Sequence, residues 1–181
     1  MYHIKNDKRA RASTELICAG LLACMKEKPF ARITITDVQR ASTVSRSTFY
    51  RNFDCLEDAL ALLCDRGFQA VFSEYNALPP EQRGSLAKAV FQYWFRSSAV
   101  LEALVQIHRT DILFDSLRRS SGLIQALQPM ADDPARFDYF VAIITSSMIG
   151  VLTVWVEHGK TETEDQMVQK LTSAFIEMAI L

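Results

Sequence analysis

Glycine and proline are both scarce in this sequence, with 6 glycines and 5 prolines among 181 residues, below their usual shares of about 7% and about 5%. Because these two residues break helices and build turns, their scarcity indicates a mostly helical chain and argues against an all-β sandwich or barrel. The sequence also lacks the charge excess of disordered chains, since 49% of its residues are hydrophobic and 23% are charged. These proportions predict an all-α globular protein.

The sequence has few of the side chains from which disulfide frameworks, metal sites and catalytic centres are built. Its four cysteines are Cys18, Cys24, Cys55 and Cys64. They form no C-x-x-C pair and follow no signal peptide, so we expect reduced thiols in a cytoplasmic protein. The histidines His3, His108 and His158 lie far apart in the sequence, and no nucleophile elbow or phosphate-binding glycine loop is present. We therefore expect no metal ion, no cofactor and no enzymatic activity.

An excess of one charge is absent overall but present locally. The formal net charge of the chain is −1, yet residues 1–55 carry ten basic and five acidic side chains and are net +5, which leaves the remainder at −6. A basic end on an acidic body attracts phosphate, because the local field determines where an anion binds. On charge alone, chance clustering stays open as an alternative.

One uncharged run, at residues 139–156, reaches the lower limit of a membrane span. It contains Thr145, Ser146, Ser147 and Thr153, and no cluster of lysine or arginine flanks it. Since such basic clusters set the orientation of a membrane helix, we predict no membrane span. A helix that is apolar nearly all round is also typical of a soluble bundle, when one side packs on its own core and the other on a second subunit.

The pattern near the N-terminus predicts three helices. Apolar residues recur at helical spacing over residues 7–28, which end before a proline. Thr36 and Gln39 have the spacing of a capping box, so we expect a second helix to begin there and to end near Ser42. Ser45 is the next candidate for an N-cap, and the short turn between these two helices indicates a helix-turn-helix.

Beyond residue 54 the pattern changes to longer helices. We predict helices at residues 55–75, 85–97, 99–116, 118–127, 135–157 and 163–180. The break before the last of these contains Gly159, which suits the left-handed residue that ends a helix. The expected organisation is therefore a small helical domain at residues 1–54, followed by a helical bundle at residues 55–181.

The third predicted helix has one apolar and one polar face. At 100° per residue, Phe49 and Phe53 share one side. The other side and its flanks carry Ser47, Thr48, Tyr50 and Arg51. Serine and threonine can bond base edges or phosphate, arginine can make two hydrogen bonds to guanine, and tyrosine can reach phosphate. An ordinary amphipathic surface helix is the alternative, but the capped helix, the tight turn and the local positive charge together favour DNA binding.

The same residues resemble a known family. The sequence ITITDV at residues 33–38, followed by VSRSTFYRNF at 44–53 and EDAL at 57–60, closely resembles the DNA-binding region of the TetR family of transcriptional regulators. The C-terminal part resembles the family more loosely, through its length, its helix count and the segment WVEHG at residues 155–159. The resemblance implies a homodimeric repressor that binds double-stranded DNA at a near-palindromic operator, with an effector pocket in the C-terminal domain. The aromatic residues of that domain indicate a small apolar or aromatic effector.

The resemblance also implies roles for individual residues. DNA contacts are expected from Thr36, Ser45, Arg46, Ser47, Thr48, Tyr50, Arg51 and Asn52. Ser47 and Thr48 would face bases. Tyr50, Asn52 and Thr36 would hold phosphates. The two arginines would add base or phosphate contacts.

Three departures from the family pattern affect this interpretation. Thr43 stands where the family usually has glycine, and a β-branched residue at positive φ costs on the order of 1 kcal/mol. Gln39 and Ser42 replace small apolar residues, so we expect looser packing between the second and third helices. Residues 54–56, Asp-Cys-Leu, lack the lysine commonly found there, which should lower nonspecific DNA affinity.

The effector and dimer residues are less clearly marked. Candidates to line an effector pocket are Phe72, Phe91, Trp94, Phe95, His108, Phe114, Tyr139 and Met148. Candidates for the dimer interface are Phe140, Ile144, Ser147, Val151, Trp155, Met167, Leu171 and Phe175. For both sets the alternative is a position in the protomer's own core. A regulator without an effector, or an activator that acts through a protein partner, is an alternative function.

Overall fold

A computed structural model describes residues 2–4, 7–123 and 133–178 of the chain. Over these ranges the chain is helical and contains no strand, which confirms the all-α class. Its α-helices are α1 Lys8–Glu27, α2 Ile35–Ser42, α3 Arg46–Asn52, α4 Leu56–Ala77, α5 Leu86–Arg96, α6 Ser98–Gln106, α7 Thr110–Ser120, α8 Pro134–Glu157 and α9 Glu164–Met178. Short 3-10 helices lie at Phe30–Arg32, Pro80–Gln82 and Ser121–Leu123.

The first helix begins and ends within a residue of its predicted bounds. Asp7 caps α1 by accepting a hydrogen bond from Ala10 N at 2.8 Å. At the other end, Lys28 has an extended backbone and stands before Pro29. Proline disfavours the helical conformation in the residue that precedes it, which explains why α1 ends there.

The second helix has a different cap from the predicted one. Thr34 is its N-cap, so the capping box predicted from Thr36 and Gln39 is wrong. Thr34 Oγ1 accepts from Asp37 N at 3.2 Å, and the Asp37 carboxylate accepts from Thr34 N at 2.8 Å. The Lys28 ammonium, 2.7 Å from the same carboxylate, together with Thr34 holds the pKa of Asp37 well below its usual range. This ion pair with the end of α1 favours the box that contains Asp37.

The end of α2 packs closely on α1 at Gly20 and Ser42. A Cβ added at Gly20 would stand 2.8 Å from Ser42 Cβ, closer than two such atoms tolerate. Ser42 is buried, and its Oγ accepts a hydrogen bond from Val44 N at 3.3 Å. The small serine fits against α1 because it stands beside a residue that has no side chain. The looser packing expected between α2 and α3 at Gln39 and Ser42 stays a prediction.

The turn between α2 and α3 places Thr43 in the left-handed region, at a φ of 57°. This is the conformation for which glycine is favoured, so the β-branched threonine is strained here. Ser45 then caps α3 as predicted, by accepting a hydrogen bond from Thr48 N at 3.2 Å. The two short helices and this turn form the expected helix-turn-helix.

The fourth helix connects the three N-terminal helices to the rest of the bundle. Cys55 is its N-cap. Asp58, in the first turn, accepts hydrogen bonds from Asp54 N at 2.9 Å and Cys55 N at 3.4 Å. Leu60 and Phe72 of α4 belong to a single hydrophobic core that extends from α1 to α9. The two predicted domains thus share a core along α4, and a boundary after residue 54 stays a prediction.

The helix predicted at residues 99–116 is wrong, because a turn separates α6 from α7. His108 interrupts the helix with a φ of 56°. Arg109 N then bonds back to Leu104 O at 2.8 Å, which closes the end of α6. The apolar spacing continues across this turn, so the sequence pattern did not mark it.

The helix predicted at residues 118–127 is also wrong where it can be compared. Its first residues complete α7, which ends at Ser120 and is followed by the 3-10 helix Ser121–Leu123. Residues 124–127 lie outside the described residues. The predicted bounds of the other bundle helices agree with α4, α5, α8 and α9 to within about two residues, and Gly159 has the expected positive φ, 77°.

The eighth helix is long and strongly apolar. Within Ala135–Glu157 a window of 18 residues has a mean hydropathy of 1.9, so in the described part of the chain this helix could cross a membrane by length and composition alone. The core helix of a soluble protein meets the same criterion, and one such helix is weak support for a span. α8 packs against α6, α7 and α9 of its own protomer.

Candidate nucleic-acid interface and effector cavity

Two buried phenylalanines hold α3 against the protein. Phe49 is 1% exposed, Phe53 is fully buried, and their ring centroids lie 5.7 Å apart. Both belong to the hydrophobic core, which α1 shares. The apolar side predicted for this helix is therefore present, and it turns the opposite side toward solvent.

The opposite face of α3 exposes hydrogen-bonding groups. Ser47, Arg51 and Tyr50 are exposed, the tyrosine by 42%, and Thr48 is half-buried. Arg46 Nη2 donates to Tyr50 Oη at 3.3 Å, and the guanidinium carbon lies 5.5 Å from the tyrosine ring centroid. This cation–π contact holds the two side chains together, so that they present one positively charged unit.

Three hydroxyl groups cluster at the start of α3. Ser45 Oγ lies 3.0 Å from Ser47 Oγ and 2.9 Å from Thr48 Oγ1. Each hydroxyl can donate or accept, so the cluster can orient its hydrogens toward a base edge or toward a phosphate oxygen. Ser45 also caps the helix through Thr48 N, which leaves Ser47 as the least committed of the three.

The Asn52 side chain, from which the resemblance implies a phosphate contact, is almost fully buried and already hydrogen-bonded. Asn52 is 2% exposed, its Nδ2 donates to Thr48 O at 2.8 Å, and its backbone oxygen accepts from His3 N at 3.0 Å. The reason is helical geometry, because Asn52 follows Phe49 by three residues and shares its buried side. Thr36, in contrast, is exposed in the first turn of α2.

A cleft of about 510 Å³, with charged and polar residues among its walls, lies between the start of α1 and α3. Its walls are formed by Asp7, Lys8, Arg9, Ala10, Ser13, Thr48, Arg51 and Asn52. Lys8, Arg9 and Arg51 are exposed, and none of them forms an ion pair with an acidic side chain among the residues described. Lys8 and Arg9 were missed as site residues, although the local net charge of +5 indicated basic residues in this part of the sequence.

A hydrogen-bonded joint connects the start of the chain to the bundle. Asp65, which is buried on α4, accepts a hydrogen bond from Tyr2 Oη. It also accepts from Ser116 Oγ and from Arg119 Nη2, the latter at 2.9 Å, and both of these residues belong to α7. Burial and the bond to Asp65 raise the pKa of Tyr2 to about 12. The sequence pattern does not reveal this joint, because its members come from three distant segments.

An apolar cavity of about 290 Å³ lies within the bundle. It is lined by Phe72, Leu86, Ala87, Val90, Leu117, Ser121, Phe140, Val141, Ile144, Thr145, Met148 and Leu171. Phe72 and Met148 are residues that were expected in an effector pocket. Phe140 and Ile144, which were expected at a dimer interface, line this cavity as well.

The aromatic cluster of α5 packs as core. Phe91 and Trp94 are buried and do not line the cavity. Phe95 stacks on Trp155 of α8, with ring centroids 4.0 Å apart. These side chains fill the space between α5 and its neighbours, which is the alternative that the sequence left open for them.

Three further effector candidates also lie away from the cavity. Tyr139 is 74% exposed near the start of α8. His108 is exposed in the turn before α7, and Phe114 is half-buried against the core. In the part of the chain that the structure describes, no group of three His, Cys, Asp or Glu side chains is placed to hold a metal ion.

A second apolar groove, of about 390 Å³, opens on the outer side of α8 and α9. Its lining includes six of the residues expected at a dimer interface, namely Ser147, Val151, Trp155, Met167, Leu171 and Phe175. Val154, which is 46% exposed, also lines it, and Ile143 and Ile176 are exposed on the same two helices. The chain by itself therefore leaves apolar side chains uncovered along α8 and α9.

Comparison with known proteins identifies the fold. No protein-family model matches the sequence, and no curated protein matches it. Among solved structures, the chain is similar to the crystal structure of a TetR transcriptional regulator from Streptococcus agalactiae 2603V, with a TM-score of 0.61 and 18% sequence identity. The similarity covers 93% of this chain and 96% of that one. The chain therefore has a TetR-like fold along nearly its whole length.

Proposed function

We propose that the chain is a TetR-like transcriptional regulator that represses transcription by binding a near-palindromic operator as a homodimer. One observation carries this proposal: the exposed hydrogen-bonding face of α3 stands on a buried support of Phe49 and Phe53. The TetR-like fold supports the same function. We place the protein in the cytoplasm and assign it no catalytic activity.

In this proposal α3 enters the major groove. Ser47 and Thr48 contact base edges, because their hydroxyls stand at the start of the helix, where such contacts are usual. Arg51 makes a base or phosphate contact. The unit formed by Arg46 and Tyr50 holds a phosphate, since its positive charge and its phenolic hydroxyl lie side by side.

The proposed dimer forms through α8 and α9. A second copy of the chain would cover the groove along these helices, together with Val154 and Ile143, which are exposed on one protomer. Two helices from each protomer would then form a four-helix bundle about a two-fold axis. This arrangement also accounts for the apolar character of α8 without a membrane.

The proposed effector binds in the apolar cavity of the bundle. Its volume of about 290 Å³ suits a small ligand, and its lining of Phe72, Val90 and Met148 selects an apolar or aromatic one. Because Phe72 belongs to α4, which also packs on α1, and α1 packs on α3, a ligand here can bias the separation of the two α3 helices. Its effect on DNA affinity cannot exceed its differential affinity for the two conformations.

Selection from random duplexes with the full chain tests the DNA proposal. We expect enriched near-palindromic sites whose half-sites lie about one helical turn, roughly 34–36 Å, or a multiple of it apart. Footprinting on the DNA beside the protein's own coding region and sedimentation of the complex complete the test. The absence of any enriched sequence contradicts the proposal.

The effector proposal has a separate test. Small apolar and aromatic compounds are screened for a rise in the melting temperature, and the hits are added to the complex with the selected operator. A hit that weakens operator binding supports a repressor with an effector. Hits that stabilise the protein but leave operator affinity unchanged support the alternative, a regulator without an effector or an activator that recruits a protein partner.

A further inference from the structure

We infer that the DNA backbone beside α3 is held in the cleft between α1 and α3, by Lys8 and Arg9 of α1 together with Arg51 of α3. This inference rests on the proposed function, because it names further residues that bind the same duplex. It also assigns α1, which otherwise serves as a support for the helix-turn-helix, a direct contact with DNA.

The cleft is continuous with the exposed face of α3. Thr48 and Arg51 belong both to that face and to the wall of the cleft. A helix that lies in the major groove has a phosphate backbone on either side of it. When Thr48 and Arg51 meet the duplex, one of these backbones must therefore pass the start of α1.

The charge of the cleft suits a phosphodiester. Lys8, Arg9 and Arg51 are exposed on its walls and are not neutralised by ion pairs with described acidic side chains. Asp7 is the acidic member of the wall, and it is engaged in capping α1 through Ala10 N. The walls together carry a net positive charge, which an approaching phosphate would neutralise.

The side of α3 that faces the start of α4 is unsuited to the same task. Asp54 follows the helix, and Glu57 and Asp58 stand in the first turn of α4. The backbone amides of Asp54 and Cys55 already donate to the Asp58 carboxylate, at 2.9 Å and 3.4 Å. A phosphate there would meet like charges and amides that are already bonded, so the α1 side is the favourable one.

The test compares salt dependence in a double variant and in the unaltered full-length chain. Lys8→Gln/Arg9→Gln removes the two positive charges that α1 contributes to the cleft, and its affinity is measured over a range of salt concentrations. Two duplexes are used, one of random sequence about three helical turns long and the selected operator. Each phosphate contact contributes about 0.9 to the slope of log affinity against log salt. Because the bound homodimer carries two copies of the double variant, we expect the slope to fall by about 3.6 on both duplexes.

Two matched variants isolate the cleft from charge and folding effects. Lys26→Gln/Arg118→Gln removes two other exposed cations without described ion pairs, and Lys26 lies about 27 Å from Lys8 at 1.5 Å per helical residue. Lys8→Arg/Arg9→Lys keeps the charge. We expect both to retain the slope of the unaltered chain, and thermal unfolding shows whether each variant is folded.

The possible outcomes distinguish a failure of this inference from a failure of the proposed function. If Lys8→Gln/Arg9→Gln is folded and keeps the slope of the Lys26 and Arg118 control, the cleft does not hold DNA, while the proposed function stands. If the unaltered chain binds neither duplex, the proposed function fails and this inference fails with it. Loss of slope on the operator alone also overturns the inference, because a backbone contact acts equally on every sequence.

Discussion

The helix-turn-helix and the bundle behind it differ in how their surfaces are assembled. The proposed DNA contacts of α3 fall within seven consecutive positions, 45–51, and the faces of one short helix decide where they point. The cavity and the outer groove of the bundle instead gather side chains from several helices between α4 and α9. A surface on a single helix depends on local geometry, whereas a surface between helices depends on how the whole bundle packs.

The two regions are nevertheless connected through α4. Arg66 of α4 makes two hydrogen bonds to the Glu15 carboxylate of α1, at 3.0 Å and 2.6 Å. Asp65, the residue before Arg66, accepts hydrogen bonds from Tyr2 and from two residues of α7. A change in the position of α4 within the bundle would therefore reach the N-terminal helices through contacts that already exist.

The largest effect is expected at the buried side of α3. Phe49→Ala removes a side chain that is 1% exposed, and such a truncation costs about 3–5 kcal/mol in the free energy of unfolding. Tyr50→Ala, one residue along on the exposed face, is the control and should cost much less. Chemical denaturation followed by circular dichroism measures both. Equal losses would show that the two faces of α3 are not distinct.

The second-largest effect is expected on dimer formation, and it distinguishes the outer groove along α8 and α9 from the apolar cavity of the bundle. Val154→Glu places a charge in the groove along α8 and α9, and burying it in a dimer would cost about 2 kcal/mol or more, roughly 30-fold in the dimer dissociation constant. The folded protomer should be little affected, since Val154 is 46% exposed. Sedimentation velocity reports the change. Ala99→Glu, at an exposed position of α6, is the control. If the Val154→Glu variant still forms the dimer, the groove along α8 and α9 is not the dimer interface and has another role.

A smaller effect is expected at the joint between the two regions. Tyr2→Phe removes one hydrogen bond to Asp65 and should cost about 1 kcal/mol near neutral pH. The pKa of Tyr2 is raised from 10.0 to about 12 in the folded protein. Between these values the folded chain keeps a proton that the unfolded chain has lost, so stability falls as the pH rises.

Denaturation at several pH values measures this dependence. The difference between the unaltered chain and Tyr2→Phe should be largest below pH 10 and should shrink toward pH 12. A difference that stays constant across that range would show that the Tyr2 hydroxyl does not titrate in the way its environment indicates.

The smallest effect is expected in the turn. Thr43 has a φ of 57°, so Thr43→Gly should relieve strain and stabilise the protein by about 0.5–1 kcal/mol. Thr43→Ala keeps a Cβ and should bring little of this gain. Thermal unfolding of the two variants in parallel makes the comparison. If Thr43→Ala stabilised the protein as much as Thr43→Gly, the gain in stability would come from removing the threonine side chain and not from relieving backbone strain.

The elements that were predictable from sequence are those with local causes. Asp7 and Ser45 cap their helices within three residues, and the spacing of Phe49 and Phe53 determines the buried side of α3. The cap of α2 was mispredicted because Lys28, from another helix, pairs with Asp37 and favours Thr34. That contact joins two different segments of the chain, so the local sequence pattern could not predict it.

The features that could not be predicted from the sequence depend on packing between distant segments. His108 ends α6 although the apolar pattern continues, because its backbone turns to a positive φ. Phe91 and Trp94 lie in the core, whereas Phe140 lines the apolar cavity. Helical spacing alone cannot tell which apolar residues will pack in a core and which will line a cavity. The burial of Asn52 follows from the same helical wheel that placed Phe49, since the two residues share a side of α3.

The most direct measurement of the central claim, that α3 reads DNA through its exposed face, is a comparison of two substitutions on that face. Ser47→Ala and Tyr50→Phe are titrated against the selected operator, operators with single base pairs changed, and random duplex. We predict that Tyr50→Phe weakens binding to all of them by a similar factor. We predict that Ser47→Ala loses about 1–3 kcal/mol of preference at a particular base pair. Unchanged affinity in both variants, or the same loss from both on every duplex, would contradict the account.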